Sequence, residues 1–151
     1  MTETKFNIFT HQQRGLAVLL GWAVGSMVAG WVWLRAGGRF WRGMGEQFIG
    51  WGLIDGLLAV AGLRSAVRKA PQLARGEITP TEAESEQRNF QRILWFNAGL
   101  DILYILSGLW VVERFNNQPH LRGTGLGVAL QGAFLLVFDV LLALRTRRQT
   151  T

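Results

Sequence analysis

Four apolar runs, each about as long as a bilayer is thick, restrict this chain more than any other feature. They cover about residues 15–34, 43–63, 93–112 and 123–144. A helix rises ~1.5 Å per residue, so about 20 apolar residues cross a hydrocarbon layer of ~30 Å. Lipid offers the backbone no hydrogen bonds, so segments of this length cross as helices. The expected fold is all-α: a polytopic membrane protein, a bundle of four transmembrane helices forming one domain of 151 residues. A cleaved signal peptide is the rival reading of the first run, with Val28-Ala29-Gly30 as the small-residue site. The run continues through Trp31-Val32-Trp33-Leu34 behind a long polar tail, which favours a retained span.

The connections set the topology. Met1 to Arg14 is expected as a juxtamembrane tail, or a short interfacial helix with Phe6 and Phe9 dipping into the headgroups. Residues 36–42 form a short turn around Gly37 and Gly38. The segment 64–92 is the one long polar connection. Within it, Thr79-Pro80-Thr81-Glu82 has the order of a helix start: Thr as cap, Pro in the first turn, Glu three residues after the cap. A helix from about residue 80 is expected to run into the third span, with Glu82, Glu84 and Glu86 as a solvated face. Of the 16 Lys and Arg residues, 11 fall on the side of the two termini and the long connection, and five on the other. Positive charge is retained in the cytoplasm, so both termini are expected there and the plasma (bacterial inner) membrane is the expected location. Trp31, Trp33, Trp41 and Trp110 then make an outer aromatic belt, with Trp95 and Phe90 at the inner face.

Several chemistries are excluded or disfavoured. There is no cysteine, hence no disulfide, thiolate metal site or cysteine nucleophile. His11 and His120 lie at opposite ends of the spans, too far apart for a shared haem or metal. No cofactor and no metal site are expected. The net charge of +6 belongs to the membrane flanks and forms no base-reading helix, so nucleic acid is not an expected partner. The lipid bilayer is, together with a second copy of the chain or other membrane subunits. Small residues four apart, Gly21 and Gly25 in the first span and Gly52 and Gly56 in the second, are the expected helix-packing positions.

Three spans carry a carboxylate: Asp55, Asp101 and Asp139. No Lys, Arg or His lies inside a span to pair with them. Phe48, Trp51, Gly52, Asp55, Ala59 and Gly62 share one stripe at helical spacing. Asn97, Asp101, Tyr104 and Gly108 share another, and Gln131, Gly132, Leu135, Asp139 and Ala143 a third. The rise per residue puts Asp55 and Asp101 ~13 Å above the inner edge, with Asp139 and Asn97 about one turn lower and Gln131 and Tyr104 above. An ionised carboxylate at such depth costs roughly 2.5–3.5 kcal/mol. At least one of the three is therefore expected to hold a proton, supported by Asn97, Tyr104 or a bared backbone carbonyl. A proton relay or cation site is one reading. Interhelical glue worth about 0.6–2 kcal/mol per bond is the other.

The halves look duplicated. Gln13-Arg14, Gly21 and Gly30 match Gln91-Arg92, Gly99 and Gly108. Gln47 and Asp55 are spaced like Gln131 and Asp139, and Leu57-Leu58-Ala59 is repeated as Leu141-Leu142-Ala143. Two hairpins crossing in one direction make a parallel repeat about the membrane normal. Ala23 stands where the third span has Asp101, so the polar centre is one-sided.

Arg122-Gly123-Thr124-Gly125, Gln131-Gly132-Ala133-Phe134-Leu135-Leu136, Phe138-Asp139 and Asn97-x-Gly99-Leu100-Asp101-x-x-Tyr104 together resemble an uncharacterised family of small bacterial four-span membrane proteins. The resemblance covers mainly the second half of the chain. It implies four spans and a bacterial source, and no assigned activity. Two functions from different classes follow from the residues: a membrane protein that binds or relays protons or cations at the aspartates, or an accessory subunit of a larger membrane complex. Intramembrane enzyme chemistry has the least support, because no nucleophile motif, metal-ligand set or phosphate-cradling loop accompanies the carboxylates. Gly37-Gly38 and Gly123-x-Gly125-x-Gly127 are too generic to count as such a loop.

Overall fold

The helices begin and end where local chemistry dictates. In the computed structural model, which describes residues 7–148 apart from the side chains of Arg147 and Arg148, four helices follow one another. Asn7 caps α1 (Ile8–Ala36), its side-chain oxygen accepting the N–H groups of Phe9 and Thr10. Gly37 and Gly38 both have positive φ, and this turn leads straight into α2 (Arg39–Ala74). α2 ends at Arg75, with Gly76 at φ 73° and paired bonds from Gly76 to Leu73 and from Glu77 to Gln72, the Schellman arrangement. α3 (Pro80–Arg114) starts with a full capping box between Thr79 and Glu82. α4 (Pro119–Arg148) opens on proline, whose missing N–H costs nothing in a first turn.

The chain runs up, down, up, down. The start of α1 meets the ends of α2 and α4, through Asn7 Nδ2 donating to Ala70 O at 3.2 Å and His11 Nε2 beside Thr146 Oγ1 at 3.2 Å. α1 packs along α2, and α3 along α4. The two second helices, α2 and α4, run parallel and touch at the centre. Large apolar side chains cover the outside, among them Leu57 at 73% and Phe96 at 68% exposure. All four helices are long and apolar enough to cross a membrane. This is the build of a multi-pass membrane protein.

The polar connection is mostly helix. α2 continues through residues 64–74, Pro71 included, and the true loop is only Arg75 to Thr79. Lys69 Nζ joins this extension to Glu86 of α3 at 2.7 Å. Phe9 is 1% exposed and does not reach for headgroups: with Ile8 and Ala66 it forms a small core against Ala70, Leu73, Ile78 and Ala83. The alanine face of the α2 extension provides that cover. Phe6 lies outside the described residues.

Glycine sets the closest approaches. A Cβ on Gly30 would lie 2.7 Å from Gly45 O, and one on Gly45 2.6 Å from Gly30 O. Gly108 and Gly125 repeat this in the other hairpin, at 2.5 and 2.6 Å. Between the hairpins, Gly43 lies against His120 O and Gly123 against Phe40 O. Gly52 faces Ala23 O, and Gly56 faces the Ala23 side chain. Gly21 and Gly25 meet no other helix, because Ala23, Ser26 and Gly30 form the inward face of α1 and these two glycines point the other way. Gly123→Ala is expected to destabilise the bundle by about 1–3 kcal/mol, since backbone must move to admit the methyl group. Gly25→Ala should leave stability unchanged or slightly raised. Thermal melting in detergent, followed by circular dichroism, compares the two.

Candidate acidic site

Three helices deliver the acids. α2 brings Asp55, α3 brings Asn97 and Asp101, and α4 brings Asp139; the three aspartates are 3%, 3% and 5% exposed. The Asp55, Asp101 and Asp139 carboxyls lie close enough to act on one another electrostatically, and Asn97 stands one turn before Asp101 on α3. Asp55 Oδ2 and Asp101 Oδ2 are fully buried and accept no hydrogen bond. Among the described residues no salt bridge involves these three. Nor do any three His, Cys, Asp or Glu side chains form a set able to hold a metal ion. The carboxylates are neighbours without the geometry of a metal cage.

Gln131 and Tyr104 sit elsewhere. Gln131 is 0% exposed; its Oε1 accepts the Trp22 indole N–H at 2.8 Å, and its Nε2 donates to Ser26 Oγ at 3.2 Å. Trp22 also stacks on Phe134 with ring centroids 3.7 Å apart and planes 7° from parallel. Tyr104 meets the edge of Trp51 at 4.9 Å. Gln131 thus fixes α4 to α1, while Tyr104 helps seat α3 against α2. Trp22 and Ser26 were not expected in a polar role. Their signal is an indole N–H in mid-span and a serine on the face that carries Ala23 and Gly30, both of which need a partner in lipid.

The contacts of the two hairpins are related by a fixed shift. Moving 80 positions carries Phe40, Gly43, Gly45 and Gly52 of α2 onto His120, Gly123, Gly125 and Gly132 of α4, which make the corresponding approaches. Moving 78 positions carries Ala23 and Gly30 of α1 onto Asp101 and Gly108 of α3: Gly52 lies against Ala23 O, and Gly132 against Asp101 O. Gln13 and Gln91, 78 positions apart, each donate to a backbone carbonyl of the following helix, Ala66 O and Ala143 O. The register of the second helices is therefore 80, one turn short of the spacing at which Gln47 and Asp55 match Gln131 and Asp139. A four-residue slip keeps the same helix face, so residue identity alone misplaces it.

In this register the acidic site has an apolar counterpart. Asp55, Asn97, Asp101 and Asp139 correspond to Leu135, Leu19, Ala23 and Ala59. Leu19, Ala59 and Leu135 form a buried hydrophobic cluster of their own, and Ala23 is 0% exposed. One crossing is lined with carboxylates, and the matching one with hydrocarbon.

A scan of protein families matches residues 18–140 to a family of unknown function, DUF6992. The chain belongs to it. The DUF6992 segment contains all three aspartates, Asn97 and every crossing glycine named above, and leaves out the start of α1 with Phe9 and His11. Searches of curated proteins and of solved structures found no match.

Gln131→Leu strands the Trp22 N–H and the Ser26 hydroxyl in the bundle. It should lower stability by about 0.6–2 kcal/mol, the range for one or two interhelical bonds. The thermal midpoint in detergent reads this, and the Trp22 emission should change with it.

Proposed function

We propose that this DUF6992 member is a membrane protein that binds protons at a shared acidic site made by Asp55, Asp101 and Asp139. The observation that carries this reading is the burial of three carboxyl groups with no basic partner among the described residues, two of them with an oxygen that no donor reaches. Carboxylates offer only acceptors, so buried neighbours without donors or a counter-charge need a proton among them to be held in lipid. Asn97, one turn before Asp101 on α3, brings an amide to the same helix face. The apolar counterpart supports a role beyond packing. The same helix crossing is held in the other hairpin by leucine and alanine, so the fold does not require acids there. A duplicated hairpin in which one of the two equivalent crossings kept, or acquired, the polar centre accounts for both halves.

The accessory-subunit reading needs the carboxylates to meet cations of a partner. Their enclosure at 3–5% exposure argues against it. The bias of Lys and Arg, 11 against five, supports cytoplasmic termini, with the acids in the cytoplasmic half of the membrane.

Infrared difference spectroscopy of the purified protein tests the proposal. A carboxylic-acid C=O band is expected at neutral pH, lost in Asp139→Asn or Asp101→Asn and shifted in Asp55→Asn and Asn97→Leu. Wild-type protein with no such band at neutral pH would refute the shared proton.

A further inference from the structure

A second site lies at the end of the bundle where α1 begins and α4 ends. There a cleft of about 450 Å³ opens between these two helices. Val18, Phe138, Leu141 and Leu142 line its apolar part, and Gly15 lets Leu142 close in: a Cβ there would come within 2.8 Å of a Leu142 methyl. Val18 and Leu141 are about half exposed, so this part opens sideways towards the acyl chains. Its other wall is basic. His11, Arg14 and Arg145 line it, and both arginines lie in electrostatic range of His11. Among the described residues no acidic residue lines the cleft, and neither arginine takes part in a salt bridge.

We infer that this cleft binds one anionic phospholipid of the surrounding bilayer. The phosphate diester lies against Arg14 and Arg145, and one acyl chain runs over Val18, Phe138 and Leu141. Charge and position carry the assignment. Two guanidinium groups with no carboxylate partner among the described residues line one cleft at the depth where a span ends, and guanidinium matches phosphate in geometry as well as charge. The apolar wall continues from them in the direction of the hydrocarbon, which a soluble anion has no use for. The arrangement is not a by-product of the repeat either. In the same register His11, Arg14 and Arg145 correspond to Asn89, Arg92 and Ser65, so the other hairpin offers a single arginine. The site stands apart from the acids: none of Asp55, Asp101 and Asp139 lines the cleft, and Asp139, on α4, is 5% exposed.

Native mass spectrometry of the purified protein, given equimolar phosphatidylglycerol and phosphatidylcholine, tests this. Wild type should retain one phosphatidylglycerol in preference. Arg14→Gln and Arg145→Gln should each weaken retention about fivefold, and the double variant by the product. Arg64→Gln with Arg68→Gln removes the same charge outside the cleft and should retain the lipid as wild type does. Both arginines of the cleft are exposed, so the single variants should fold, and an unchanged thermal midpoint checks it. Equal loss in the Arg64/Arg68 pair would overturn the site, as would no loss in the Arg14/Arg145 pair or equal retention of phosphatidylcholine. Displacement of the lipid by inorganic phosphate would overturn the lipid assignment in favour of a free anion.

Discussion

Backbone lies directly on backbone where the helices of this protein cross. Lipid gives helices no hydrophobic reason to associate, so close van der Waals contact has to hold them. Gly30 with Gly45, and Gly108 with Gly125, bring the two arms of each hairpin together. Gly43 and Gly123 do the same for the pair of hairpins, each resting against a carbonyl of the other's helix. That reciprocal contact fixes the parallel central pair, α2 and α4, and everything else hangs from it. α1 and α3 occupy the flanks, and the Gln131 bonds to Trp22 and Ser26 complete one seam while Trp51 and Tyr104 complete the other.

The acids gain their meaning from this near-symmetry. A buried polar cluster in a bundle is ordinarily open to two explanations, function or adhesion. Here the molecule contains its own control: the equivalent crossing, made by the same backbone, filled with Leu19, Ala23, Ala59 and Leu135. Polar groups that serve only to join helices would be replaceable at little cost, and the equivalent crossing does without them. Burying three carboxylates near one another, two with an oxygen that accepts no bond, is a cost the fold alone does not explain.

The four spans, the Gly37-Gly38 turn and the Thr79 cap were legible in the sequence, because hydropathy, positive φ and capping are local properties. Face and depth point Asp55, Asp101 and Asp139 towards the bundle interior, and all three are buried. Other features depend on tertiary contact. Gly21 and Gly25 have the spacing of a packing motif, but Ser26 and Ala23 decide which face of α1 turns inward. Gly43 and Gly123 sit at the span ends, where a lone glycine reads as part of a turn. The α2 extension looked like a polar connection because its small apolar face of Ala66, Ala70 and Leu73 becomes meaningful only once Phe9 covers it. Gln131 and Tyr104 share faces with the aspartates, yet Gln131 bonds to Trp22 and Ser26 and Tyr104 packs on Trp51, since one face of a helix is wide enough to serve two neighbours. The glycine contacts relate α2 to α4 at a shift of 80, one turn from the shift at which residue identities match, because a four-residue slip keeps the same helix face.

Printing the apolar crossing onto the acidic one tests the account most directly. In the variant Asp55→Leu, Asn97→Leu, Asp101→Ala, Asp139→Ala, the polar centre takes the residues of its counterpart. The account predicts a protein that still melts cooperatively in detergent, with a midpoint equal to or above that of wild type, because buried polar sets are commonly replaceable by well-packed hydrocarbon. A lowered midpoint, or loss of cooperative melting, would show that the carboxylates hold the bundle together and would contradict it.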